Sequence, residues 1–221
     1  MTQPTTALLL SGGLDSAVLL AHLLGQGQRV QPLFVRCGLV WEGAELAAIQ
    51  RLLEALGCDN LLPLVVLQQP VEDLYGPHWS LTGQGVPDAA TPDEAMYLPG
   101  RNLLLVTKAA LWCQLHGVGR LALGVLGPNP FADASEAFFQ ALQRAVELGG
   151  GRTVELLRPF GSLTKDQVLQ LADGVPLELT FSCAAPQGEL HCGRCNKCHE
   201  RREVFRRLGR ADPTVYAVPA G

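Results

Sequence analysis

Five short apolar runs alternate with stretches of helical periodicity, and that alternation restricts this chain to very few folds. The runs fall at residues 7–10, 29–36, 61–67, 120–125 and 154–157. Between and after them, helices are predicted over 16–24, 44–56, 102–116, 135–148 and 164–172. In the second of these Leu46, Ile49, Leu52, Leu53 and Leu56 recur on one face, and Gly57 follows as a stop. Strands joined through helices run parallel and need cover on both faces. The prediction is therefore α/β, a parallel five-stranded sheet with helices on both faces. Ligands of such sheets bind beyond the carboxyl ends of the strands. Residues 68–100, "QQPVEDLYGPHWSLTGQGVPDAATPDEAMYLPG", are too polar and too rich in Gly and Pro for regular structure. A loop of that length inside a compact domain is commonly functional.

Composition bears on the partners. With 48% apolar and 17% charged residues among 221, one sizeable core can be buried. Seventeen basic against 21 acidic side chains leave a net charge of −4, which disfavours a broad nucleic-acid footprint. The apolar N-terminal stretch lacks a basic n-region and is interrupted by Asp15, so it is read as core rather than as an export signal. No uncharged apolar run reaches the roughly 18 residues of a membrane span. The expectation is a cytoplasmic protein with reduced thiols and no membrane partner.

The first apolar run leads straight into "LSGGLDS", residues 10–16. Backbone N–H groups at a strand-to-helix junction are unpaired, and the helix N-terminus carries partial positive charge, which together make an anion site. Gly12 and Gly13 permit close backbone approach, and Ser11 and Ser16 can donate further hydrogen bonds. A carboxylate beside phosphates, Asp15, needs a reason, and a bridging Mg2+ is the simplest. A plain turn whose Asp15 or Ser16 only caps the helix is the alternative. No Gly-Lys-Ser/Thr occurs, so this is not a Walker loop. "GVGRLA" at 117–122 follows a helix and opens a strand, the reverse of a dinucleotide-binding context.

Near the other end, "SCAAPQGELHCGRCNKCHERREVF" places Cys183, Cys192, Cys195 and Cys198 at C-x8-C-x2-C-x2-C. Four thiolates so close together in a reduced protein suit a closed tetrahedral Zn2+ site. An iron–sulfur cluster also accepts this spacing. A redox pair within Cys192–Cys195 and a c-type haem at "CNKCH" are further readings of the spacing, the haem requiring an exported protein. His191 and His199 flank the cluster as neighbours rather than ligands. Cys37, Cys58 and Cys113 lie in apolar elements and read as core.

The string S-G-G-x-D-S resembles the pyrophosphate loop of the N-type ATP pyrophosphatases (PP-loop enzymes). With "YLPGRNLLL" at 97–105, "RPFGSLTKDQVL" at 158–169 and the cysteine segment, the chain resembles the 7-cyano-7-deazaguanine synthase (QueC) family. The resemblance implies an adenine nucleotide alpha hydrolase-like, Rossmann-like domain over 1–175 and a C-terminal four-cysteine zinc-binding segment over 176–221. It implies an ATP-dependent ligase of queuosine biosynthesis, which adenylates 7-carboxy-7-deazaguanine and uses ammonia to make an amide and then a nitrile. ATP would bind along Leu10, Ser11, Gly12, Gly13, Leu14, Asp15, Ser16, Ala17, Val18, Leu19 and Leu20. Asp15, Lys165 and Arg101 would be catalytic, and Arg101, Asn102, Asp133 and Phe138 would meet the substrate. The partners implied are the deazapurine and ammonia, with a homodimer left open. The family carries a tyrosine–proline–aspartate–cysteine–arginine run after the fourth strand, where this chain reads "GPNPFADASEAFF". Ser135 then stands in the arginine's place, so measurable but weakened substrate binding is expected unless another cation such as Arg101 or Arg36 fills the gap, and Ser135→Arg should tighten it. Three alternatives stand beside this reading: a relative activating another carboxylated base or a macromolecule, a tRNA sulfur-transfer enzyme sharing the loop, and a zinc-bound partner module without catalysis.

Overall fold

The computed structural model describes residues 4–127 and 129–218. In chain order these form β1 (Thr5–Leu9), α1 (Leu14–Gly25), β2 (Arg29–Arg36), α2 (Glu42–Ala55), β3 (Val65–Gln68), α3 (Glu72–Tyr75) and α4 (Trp79–Thr82). There follow α5 (Arg101–Leu115), β4 (Arg120–Leu123), α6 (Glu136–Gly150), β5 (Glu155–Leu157), α7 (Lys165–Gln170) and α8 (Asn196–Arg207). Five strands, all parallel, lie in the order β3-β2-β1-β4-β5, as the alternation of apolar runs predicts. Leu9 stands opposite Leu33 of β2 on one side and Leu123 of β4 on the other. The chain leaves β1 toward β2 and later returns to β1's other edge with β4. The order therefore reverses at β1, and a crevice opens there at the carboxyl ends.

The period-two alternation of strand side chains sorts the core into two layers. Leu8, Val30, Phe34 and Ala122 face α1, α2, α7 and α8, meeting Leu19, Leu23, Ile49, Leu52, Val168 and Phe205. Ala7, Leu33, Leu121 and Leu123 face α5 and α6, meeting Val106, Ala110, Phe139 and Val146. A third cluster closes the carboxyl end of β2, where Val35, Cys37, Trp41 and Ala48 pack with Leu98, Phe181 and four further cysteines. Among the described residues no helix is long and apolar enough to cross a membrane.

Two regions differ from the sequence-based expectation. The segment 68–100 contains α3, α4 and a 3-10 turn at Asp93–Met96, each too short to show periodicity. It is held by stacking of Trp79 on Trp41, with ring centroids 5.7 Å apart, and by Tyr75 Oη donating to the Pro99 carbonyl at 2.8 Å. Helix α8 lies outside the elements that periodicity predicts, because its inward face interrupts Cys198, Val204 and Phe205 with the polar Asn196 and Arg201. Arg201 is 1% exposed. Its guanidinium donates to the Leu177 carbonyl, Ser182 Oγ and Thr214 Oγ1, which makes burial of the charge tolerable. Leu177, Val204 and Phe205, all from the expected C-terminal segment, join the cluster around α1.

Candidate active site

The crevice is built first from the turn between β1 and α1. Gly12 takes φ +75°, and a Cβ there would lie 3.0 Å from Ile49 Cγ1 and 3.3 Å from the Glu45 carbonyl, so glycine is required. Gly13 is the N-cap of α1 and supplies no side-chain cap, leaving the first turn's N–H groups to face the crevice. Ser11 Oγ and Ser16 Oγ lie 3.1 Å apart, and Ser16 Oγ also donates to the Gly13 carbonyl. From across the sheet, Gly124 brings the end of β4 against this turn. A Cβ on it would sit 3.3 Å from the Ser16 nitrogen. Leu10, Ser11, Gly13, Leu14, Asp15 and Ser16 line the crevice, whereas Ala17, Val18, Leu19 and Leu20 are fully buried in the core behind it.

Charged side chains converge on the loop from three other elements. Thr164 and Gln167 form a capping box that fixes the start of α7, and Lys165 is its first residue. Lys165 Nζ lies 3.5 Å from Asp15 Oδ2 and 2.6 Å from Glu200 Oε1, while Lys197 Nζ lies 2.8 Å from Glu200 Oε2. Burial by itself would raise the Glu200 carboxyl, but the Lys165 and Lys197 ammonium groups override it and bring it to about 2. Lys165 shows the converse: burial opposes its charge, yet Asp15 and Glu200 hold it protonated above the ordinary lysine range. Asp15 Oδ1 and Arg101 Nε are buried with no hydrogen-bond partner among the described residues. Unpaired buried polar atoms are costly, and here both belong to residues lining the crevice. Lys197, Glu200 and Gly124 carry no motif that marks them in the sequence.

The crevice is a cleft of about 390 Å³, continuous with a chamber of about 290 Å³ that runs toward Phe181–Ala184. Tyr97 and Phe131 form a stacked wall with ring centroids 5.0 Å apart. Arg101 begins α5 and lines both spaces. Asn102 donates its backbone N–H to Asp133 Oδ2 and its amide to the Asp133 carbonyl, each at 3.0 Å, so Asp133 caps α5 at the cleft's edge. Phe138 is not brought to the cleft; it packs edge-on against Phe139 at 5.1 Å, on α6. Ser135 is exposed and caps α6, its Oγ accepting from the Phe138 N–H. Glu45, in the first turn of α2, lines both spaces and belongs to no motif in the sequence.

The four cysteines of the C-terminal segment come together as their spacing predicts. The Sγ atoms of Cys183, Cys192, Cys195 and Cys198 all lie within 4.8 Å of one another, and all four residues are buried. Backbone N–H groups of Cys192, Ala184, Arg194 and Cys195 point at the sulfurs of Cys183, Cys195 and Cys192 at 3.2–3.5 Å. That donor set, four thiols with N–H···S support, fits a thiophilic metal ion held as thiolates. His191 is buried and accepts from the Ser182 N–H through Nε2 at 3.0 Å. Burial, reinforced by Arg201, lowers it to about 4, so it stays neutral, and it is not among the four residues whose ligand atoms cluster. His199 is exposed. The segment is tied to the turn between β1 and α1, since the Phe181 N–H donates to the Gly12 carbonyl at 2.7 Å. It is also tied to the long loop, through Asn196 N to Pro87 O and Ala89 N to Arg194 O.

Comparison with known proteins agrees with this geometry. Residues 5–209 match the family profile described as queuosine biosynthesis protein QueC. The chain is 32% identical over 210 residues to 7-cyano-7-deazaguanine synthase 1 of Desulfitobacterium hafniense, covering 93% of each. It is also 32% identical over 220 residues to 7-cyano-7-deazaguanine synthase of Methanosphaerula palustris, covering 94% of this chain and 97% of the relative. Among solved structures, the U34-tRNA thiolase NcsA of Methanococcus maripaludis superposes with a TM-score of 0.52 at 15% identity, over 94% of this chain and 68% of the thiolase. A 4-thiouridine synthetase in complex with RNA and ATP gives 0.52 at 16%, over 93% and 50%. At such identities these two structures share the fold alone.

Proposed function

The chain belongs to the QueC family of queuosine-biosynthesis proteins, and from that premise we propose that it is an ATP-dependent ligase converting 7-carboxy-7-deazaguanine to 7-cyano-7-deazaguanine. The observation that carries the reading is the convergence of an uncapped helix N-terminus, Asp15, Lys165 and Arg101 on one cleft. An N-terminus without a side-chain cap offers its N–H groups and partial charge to an anion, here the pyrophosphate portion of ATP. Ser11 and Ser16 add hydroxyl donors. The substrate carboxylate attacks the α-phosphorus, and pyrophosphate leaves into the loop. Lys165 neutralises the charge that develops on it. Ammonia then displaces AMP to give the amide. A second ATP activates the amide oxygen in the same way, and loss of AMP gives the nitrile. Tyr97 and Phe131 offer an aromatic face to a planar base.

Two bound ions complete the reading. Asp15, with Oδ1 unpartnered, would hold Mg2+, which supplies charge neutralisation between phosphates. Cys183, Cys192, Cys195 and Cys198 would hold Zn2+ as a closed structural site. The acceptor is a small molecule rather than nucleic acid, in keeping with the net charge of −4. A homodimer remains part of the reading, checked by the mass of the protein in solution. The deciding experiment supplies purified protein with ATP, ammonium and 7-carboxy-7-deazaguanine and follows the products by mass spectrometry. The expected products are the nitrile, AMP and pyrophosphate. Absence of both amide and nitrile would refute the assignment.

A further inference from the structure

Making a nitrile from an amide requires a group that accepts protons. Once the amide oxygen carries AMP, the nitrogen still bears two hydrogens, and both must leave. The second leaves as the third C–N bond forms and the C–O bond to AMP breaks, with AMP taking the electron pair. The first stage has the same need, since ammonia that has attacked the acyl adenylate must shed one proton as AMP departs, leaving the amide with two.

Few groups in the cleft can do this. No histidine lines it among the described residues. Glu200 is held ionised between Lys165 and Lys197 and is too weak a base. Asp15 faces Lys165, Asp93 accepts from the Asn196 amide at 3.0 Å, and Asp133 accepts from the Asn102 N–H. Glu45 differs from all of these. It is 9% exposed and lines both connected spaces beside the phosphate loop, and its carboxylate has no hydrogen-bond or ion-pair partner among the described residues. Its helix neighbour Glu42 is fully engaged, accepting from the Cys37 N–H at 2.6 Å and the Gly38 N–H at 3.0 Å. Glu45 is faced by Arg101 from α5, by Glu42 on its own helix, and by Cys37 at the end of β2. Burial, opposed by Arg101 and reinforced by Glu42, pushes its carboxyl up to about 8. Burial also pushes the Cys37 thiol up to about 11, so that thiol stays neutral. A base that titrates near the working pH is suited to proton transfer.

We propose that Glu45 is the general base of both nitrogen steps, taking the proton lost as each C–O bond to AMP breaks, while the remaining proton passes to water. This rests on the ligase reading above. The test feeds the amide, 7-carboxamido-7-deazaguanine, with ATP to wild type and Glu45→Gln between pH 6 and 9.5. Binding of the amide with a non-hydrolysable ATP analogue is measured by calorimetry. In wild type kcat/KM should rise with pH and level above about 8, because the base acts when deprotonated. In Glu45→Gln binding should persist, kcat should fall by roughly 10²–10⁴, and the pH dependence should vanish. Glu45→Ala provides a second arm, in which added formate should restore part of the rate. Unchanged kcat and pH profile in the Gln variant would overturn the proposal, as would loss of binding with unchanged kcat at saturation. A wild type inert toward both acid and amide would overturn the ligase reading and this proposal together. An active wild type with an equally active variant removes this proposal alone.

Discussion

At Asp15 one carboxylate oxygen approaches Lys165 and the other is buried without a partner. A residue kept for packing would not leave an acceptor unsatisfied beside an anion-binding turn. Asp15→Asn removes the charge and keeps the shape, and Lys165 retains Glu200. Turnover should fall by at least about 10²-fold, while Tm stays within roughly 2–4 °C, the equivalent of about 1 kcal/mol in a chain of this size. Full activity with unchanged Mg2+ dependence would refute the metal-binding role. Ser135 leads to a different expectation than sequence comparison alone suggests. Its side chain caps α6 and lies outside the cleft, so Ser135→Arg supplies no cation to the substrate. That variant should lose about 1 kcal/mol (typically 0.5–2) through the missing cap and leave substrate affinity unchanged. Thermal melts and calorimetry read the two effects separately. Tighter substrate binding would restore the arginine argument.

Among the elements, the cysteine segment and α8 have the widest reach. Phe181 holds the Gly12 carbonyl, and Asn196 and Arg194 hold the long loop at Pro87 and Ala89. From that anchored stretch the loop goes on to Met96, Tyr97 and Leu98, which wall the cleft. A metal that organises four buried thiolates contributes folding free energy directly. Strong chelation should therefore lower Tm and, in the same titration, weaken binding of an ATP analogue by at least about tenfold. Metal analysis should return one zinc per chain. Iron with sulfide would replace zinc by a cluster, and loss of Tm without loss of nucleotide binding would show that the tie to Gly12 is structural only.

Over the whole molecule, what the sequence by itself determined is whatever consecutive residues can specify. Apolar runs alternating with helical periodicity require a parallel sheet, because strands joined through helices can bury their side chains no other way. The uncapped helix start at Ser11–Ser16 is equally local, since a strand, two glycines and a helix start suffice to expose N–H groups. The cysteine cluster is legible because the short spacings bring the sulfurs within reach of one another. Phe138, matched by motif alone, is turned onto Phe139 and away from the cleft. Tertiary structure decided the rest through burial and partnership. Lys197 and Glu200 reach the Ser11–Ser16 turn only because α8 packs beside α7 through Val204 and Phe205, with the buried Arg201 satisfied by three acceptors. Glu42 and Glu45 lie three residues apart in one helical turn and are chemically the same in the sequence. One is consumed by two backbone N–H groups, and the other is left unpaired in the cleft facing Arg101. A carboxylate's basicity follows from what surrounds it, and those surroundings come from β2, α2 and α5, brought together only when the chain has folded.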